Sequence, residues 1–244
     1  MTSLPPFDYL ALALVIIALA YAVRAVAGFG SGLIAIPFLA LFLPLHVTVI
    51  LIALLDYMAS LAHGIHGRQQ VAWRLILPLL PFNIIGVLLA VYIFQKADFT
   101  VLIKILAVLL FIYALYYLLG LKPKQHASKV WAIPTGVLGS LVGTLFGTGG
   151  PFYVIYLQLQ GVDKSVFRST IASVFLVDGF LRISSYFLSG FVSMKVVSLL
   201  VLAIPVMFVS LYIGEHMHTN ISQRNFQRLI GGLLIVSSIT LLIK

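Results

Sequence analysis

Runs of about 20 apolar residues fill this chain almost end to end, and few folds are open to such a chain. A hydrocarbon core about 30 Å thick is crossed by about 20 residues of helix. Inside it every backbone N–H and C=O must be bonded within the protein, which admits only helices and closed barrels. Runs of this length suit helices rather than strands, so the reading is an all-α polytopic membrane protein. Composition agrees: 62% of the 244 residues are hydrophobic and 9% are charged, where a soluble domain runs near a quarter charged. Almost nothing is left over for a soluble domain. Cysteine is absent, so neither a disulfide framework nor a thiolate metal site is available. The net charge of +9 reads as anchoring of cytoplasmic loops, not as a nucleic-acid surface. Met1 to Asp8 has no basic stretch, so the first apolar run is expected to stay in the mature chain.

Two of the runs are interrupted by glycine clusters, one in each half: Gly28-Phe29-Gly30-Ser31-Gly32 and Gly147-Thr148-Gly149-Gly150-Pro151. A break frees backbone polar groups in lipid, which is tolerable only against protein or a water-filled cavity. Paired breaks in the two halves point to a transporter's binding site. Ten helical segments are expected, at 9–27, 31–43, 47–66, 73–95 and 99–119, then 131–146, 151–160, 166–188, 193–214 and 224–243. The last three of each half are long enough to cross alone. The segments at 31–43 and 151–160 are too short. Each pairs with the one before it, as a re-entrant hairpin or as two tilted short crossings.

The halves read as two repeats, 1–122 and 123–244. A shift of about 122 residues lays Asp56 on Asp178; a shift of about 124 lays Pro81 on Pro205 and Lys104 on Arg228. Three spans plus a broken pair make an odd number of crossings, which turns the second repeat upside down and predicts inverted-topology repeats. Loop charges orient the chain. Arg68, Arg74, Lys122, Lys124, Lys129, Lys164, Arg168, Arg224 and Arg228 fall on one side, against Lys96, Lys104, Lys195 and Lys244 on the other. The richer side is expected to be cytoplasmic, with both termini outside.

Four ionisable residues sit within the spans or beside the breaks: Arg24, Asp56, Asp178 and Arg182. A charge at bilayer depth costs at least about 2.5–3.5 kcal/mol and marks a substrate or ion path. Helical spacing puts Ser60 and His63 on the Asp56 face, and Arg182 and Ser185 on the Asp178 face. Asp178 and Arg182 could simply pair with each other. Arg24 stands one turn before Gly28, where a cation beside unpaired helix N–H groups makes an anion site. Pro151 suits the first turn of a short helix, and Ser31 and Thr148 can cap or contact a ligand. Gly139, Gly143 and Gly147, with Ser140, Thr144 and Thr148 beside them, form a small-residue stripe whose main role is close helix packing. His63 and His66 lack a third ligand, so no metal is expected. Around Ser31 the order Phe29-Gly30-Ser31-Gly32 misplaces the glycine that an intramembrane serine protease would want.

The second break, with its flanks, resembles a signature of the sulfite exporter TauE/SafE family, also called the toluenesulfonate uptake permease family. The run is Gly143-Thr144-Leu145-Phe146-Gly147-Thr148-Gly149-Gly150-Pro151, followed by Tyr156-Leu157, Gly161-Val162-Asp163-Lys164 and Phe167-Arg168-Ser169-Thr170. Ala27-Gly28-Phe29-Gly30-Ser31-Gly32 and Pro37 are similar to its glycine-rich entry. The similarity extends over roughly residues 10 to 243. It implies a bacterial inner-membrane transporter of small sulfur-containing anions or organic sulfonates. The expected reading is therefore a secondary transporter of a small anion, working by alternating access, with no cofactor, no nucleic acid and no Walker phosphate loop. A non-transporting assembly or signalling subunit is the alternative. The substrate-binding candidates are Arg24, Gly28, Gly30, Ser31, Gly32, Thr148, Gly149, Gly150 and Arg182. Asp56 and Asp178 are the candidate proton carriers. The partners are the anion and the bilayer, and oligomeric state is left open.

Overall fold

A computed structural model describes residues 6–28, 30–64, 71–119, 128–216 and 223–243. Phe29, His66, Arg68, Lys122, Lys124 and Lys244 lie outside the described residues, as do the side chains of His63, Lys129, Lys164, Arg168, Arg224 and Arg228. The described residues are helical throughout, without strands. The first half holds α1 (Phe7–Ala27), α2 (Ser31–Leu39), α3 (Leu45–Gly64), α4 (Trp73–Ile76), α5 (Leu80–Lys96) and α6 (Phe99–Leu119). The second holds α7 (Ala132–Phe146), α8 (Gly150–Leu159), α9 (Lys164–Leu188), α10 (Met194–His216) and α11 (Gln223–Ile243).

Boundaries follow local chemistry. Gly28 and Gly147 end α1 and α7 in the left-handed conformation, φ 80° and 63°, and their N–H groups bond to Arg24 O and Gly143 O. Glycine takes that conformation without a Cβ penalty. The segment expected as one helix over 73–95 is instead two helices joined by a 3-10 turn at Leu77–Leu79. Pro78 and Pro81 supply no N–H to the α-helical ladder there.

Among the described residues, six helices are long and apolar enough to cross a membrane: Phe7–Val26, Leu45–Ala62, Trp73–Lys96, Phe99–Leu119, Ser165–Leu188 and Met194–His216. This differs from the sequence expectation at the start of the chain. The first helix begins at Phe7 and is long enough alone. The last helix, Gln223–Ile243, has the expected position; the side chains of its first turns lie outside the described residues, and Ile230–Ile243 is apolar. The short helices α2 and α8 are as expected.

α3 and α9 pack on each other at the centre, and α2 and α8 lie against them. α1 packs along α10, α5 along α7, and α6 along α11. Exchanging the two halves maps these pairings onto one another. Small residues make the seams close: Gly214 meets Ala22 and Ala25, Gly86 meets the α7 backbone at Val137, and Gly136 meets Phe82. α6 and α11 run antiparallel, since Gly231 lies against Ala114 and Leu118 while Ser238 Oγ donates to Ala107 O at 2.8 Å. α2 is almost wholly buried. By contrast Leu88, Tyr92, Ile112, Val201 and Tyr212 are mostly exposed on the outer helices. A soluble protein would hide such an apolar surface; a lipid-facing one has no need to.

Candidate functional site

The two glycine breaks meet. A Cβ on Gly32 would overlap the carbonyl oxygen of Gly147, and the space where Gly147 lacks a side chain is filled by Ile36 Cδ1. The start of α8 is as close to α7, since a Cβ on Gly149 would collide with Gly139 O. Backbone from opposite halves thus approaches directly at Gly32 and Gly147, with the Ile36 side chain packed against the second glycine. Beside this contact lies a cavity of about 560 Å³, counting its open mouth.

Ten of the eleven residues expected from sequence line the cavity: Arg24, Gly30, Ser31, Gly32, Asp56, Thr148, Gly149, Gly150, Asp178 and Arg182. Gly28 does not. It is exposed and shapes the turn instead. Gly147, Tyr57, Ser60, Tyr153 and Pro151 also line it. Asp56 lies mid-way along α3 and Asp178 near the middle of α9, so both carboxylates sit far from the helix ends.

Each acid is held by an arginine, a tyrosine and a serine. Asp56 Oδ1 pairs with Arg24 Nη1 at 2.6 Å and accepts from Tyr21 OH at 2.7 Å and Ser31 Oγ at 2.6 Å. Arg24 also donates to Ser31 Oγ, to Ser60 Oγ at 2.7 Å and to the Asp56 carbonyl. Arg24 is therefore not the free cation that the sequence reading pictured; both its Nη atoms are fully engaged. Ser31 does not cap α2, because its hydroxyl turns to Asp56.

Asp178 Oδ1 accepts from Ser140 Oγ and from Tyr153 OH, the latter at 2.9 Å. Its Oδ2 stands 3.8 Å from Arg182 Nη1. That i, i+4 pair was foreseen as possible neutralisation, and it is loose. Arg182 is buried, yet its Nε and Nη2 have no hydrogen-bond partner, and neither has the buried Thr148 Oγ1. Nε–H and Nη2–H form one edge of the guanidinium, a two-donor fork suited to two oxygens of an oxyanion. Buried donors without partners are rare and need an occupant.

The two arginines reach equivalent places from different helices. Arg24 and Gly143 hold the same position relative to the capping glycine, each offering it the carbonyl. Ser60 and Arg182 hold the same position relative to the acid. Gly143 faces the Arg182 guanidinium, where a Cβ would stand 3.5 Å from Nη1. The glycine stripe is thus partly packing, as at Gly139 against the Tyr153 ring, and partly room for a cation.

Tyr21 and Tyr153 were missed in sequence. Tyrosines are common in apolar helices, and nothing marks these two except Tyr21's place one turn before Arg24 and Tyr153's place just after Pro151. Tyrosines also satisfy the freed carbonyls at the end of α7: Tyr186 OH donates to Thr144 O and Tyr113 OH to Thr148 O. Among the described residues no cluster of three or more metal-ligating side chains occurs.

The chain is similar to a curated protein of Comamonas testosteroni named "Probable inner membrane transporter protein TsaS". The two are 28% identical over 200 residues, covering 78% of this chain and 81% of that protein. No solved structure matches. The sulfite exporter TauE/SafE sequence model matches residues 13–241, and the chain belongs to that family of membrane transporters.

Proposed function

We propose that this protein is a secondary transporter of a small sulfur-containing oxyanion, sulfite or an organosulfonate, which binds in the cavity between the two breaks. The observation that carries the reading is the buried Arg182, which lines the cavity with Thr148 while its Nε and Nη2 and the Thr148 Oγ1 have no hydrogen-bond partner. Backbone N–H groups at the starts of α2 and α8, from Gly30 to Gly32 and at Gly149 and Gly150, complete the cradle. Arg24 contributes charge indirectly, by holding Asp56. The two halves act as inverted repeats, 1–122 and 123–244, and the antiparallel run of α6 against α11 supports this. Alternating access comes from one half rocking against the other around the site. The membrane is the bacterial cytoplasmic membrane, with the lysine- and arginine-rich loops inside and both termini outside.

The test is ligand-dependent thermal stabilisation of the purified protein with sulfite, ethanesulfonate, thiosulfate and acetate, since a ligand of the folded state raises its apparent stability. A sulfur oxyanion is expected to stabilise the wild type, and Arg182→Ala to abolish both that shift and flux into liposomes. Stabilisation that persists in Arg182→Ala would refute the site; none with any of the anions would refute the function.

A further inference from the structure

Among the described residues, the charged side chains lining the cavity are Arg24, Asp56, Asp178 and Arg182. Their formal charges sum to zero. A bound anion therefore leaves the cavity with an unbalanced negative charge, and burying such a charge is unfavourable. Helix ends do not supply the balance. At each break the C-terminus of one helix stands beside the N-terminus of the next, and their partial charges oppose one another.

We infer that a proton enters with the anion and that Asp178, rather than Asp56, receives it. This rests on the cavity being the anion site. The two acids differ in how firmly each is held. Arg24 contacts Asp56 at 2.6 Å, and its remaining donations go to Ser31, Ser60 and the Asp56 carbonyl. Arg182 stands 3.8 Å from Asp178 and offers its free edge elsewhere. An anion on that edge draws on the guanidinium that balances Asp178. The Asp178 Oδ1 is already occupied by the Ser140 and Tyr153 hydroxyls. A proton on Oδ2 leaves both of those bonds in place.

Among the described residues no other cation is placed to take this role. α3 brings Asp56 and Tyr57, with Tyr57 against Gly179. α5 brings the Asn83 amide, which reaches the Tyr153 hydroxyl. α7 brings Ser140, and α8 brings Tyr153. α4 carries Arg74, exposed, near the Ala72–Thr170 contact about two turns of α9 away. On α9 itself the neighbours are Arg182 and Tyr186; the Tyr186 hydroxyl donates to Thr144 O and also interacts with the Arg182 guanidinium.

The proton comes from water at the open mouth and forms an O–H bond at Oδ2; no bond within the anion changes. When the anion leaves, the proton leaves, and Arg182 balances the carboxylate again. For a singly charged anion, the two then cross together without net charge.

Calorimetric titration of the full chain with ethanesulfonate tests this, because a sulfonate does not itself take up protons near neutral pH. Run in phosphate and in Tris, binding to the wild type is expected to show buffer-dependent heat equal to uptake of about one proton per anion. Infrared difference spectra should show the carbonyl stretch of a protonated carboxyl appearing on binding, lost in Asp178→Asn and kept in Asp56→Asn. Binding with identical heat in both buffers overturns the coupling while leaving the anion site standing. A band lost in Asp56→Asn instead overturns the assignment to Asp178. If Asp178→Asn does not fold, Tyr153→Phe removes one donor from the same carboxyl. It should shift the band, and an unshifted band places the proton elsewhere. Absence of any heat or stabilisation with the wild type would instead defeat the anion reading itself.

Discussion

Arg24→Ala removes the guanidinium that holds Asp56, and Ser60→Arg offers a replacement from the position Arg182 uses in the other half. Removing one partner of a buried ion pair costs about 3–5 kcal/mol, because the carboxylate is left behind. The Asp56 side chain keeps 21% exposure and still receives Tyr21 and Ser31. The cost therefore belongs at the low end, about 3 kcal/mol. At about 2–4 °C per kcal/mol for a chain of this size, the melting temperature falls by roughly 6–12 °C. Ser60 stands one turn after Asp56 on the same face. An arginine there reaches the carboxylate through the space that Arg24 vacates, as Arg182 lies in the space beside Gly143. The double variant should regain about half the loss, roughly 1.5 kcal/mol. Ser60→Arg alone should destabilise, because it sets a second cation where Arg24 Nη2 now bonds Ser60 Oγ at 2.7 Å. Thermal unfolding of the four proteins in detergent closes a double-mutant cycle. A double variant that melts at or below Arg24→Ala would refute the claim that the two positions serve one cation site.

Two further substitutions probe the framework. Gly32→Ala drives a Cβ into the Gly147 carbonyl; backbone cannot rotate aside, so about 3 kcal/mol of stability and anion binding should be lost, and normal flux at normal stability would show that the breaks do not touch. Ser238→Ala removes the 2.8 Å bond to Ala107 O, at about 1 kcal/mol. Melting should fall slightly with transport kept, and an unchanged melting temperature would contradict the antiparallel register of α6 and α11.

The site was unusually legible because its parts break the rules of a lipid-facing helix. Asp56, Asp178, Arg24 and Arg182 are expensive anywhere but in a polar cavity, and the glycine clusters cannot continue a helix. Those residues announce themselves singly. Their partners do not. Ser140 reads equally well as a packing residue, and Tyr21 and Tyr153 read as ordinary apolar-helix residues. Only the approach of α1, α2 and α3, and of α7, α8 and α9, shows which hydroxyl meets which acid. Span length misled at the start of the chain, where Phe7 extends α1 into a helix long enough to cross alone.

The sequence by itself determined that this chain crosses a membrane as helices, that two of them are broken, and that a few charges lie at depth. Solvation physics alone forces those conclusions, since lipid bonds no backbone group and pays back no buried charge. Only the tertiary structure decided that the breaks touch, that Arg24 is spent on Asp56, and that Arg182 keeps two donors free. Those outcomes depend on distances between helices far apart in sequence, and the spacing of residues along one helix carries no information about them.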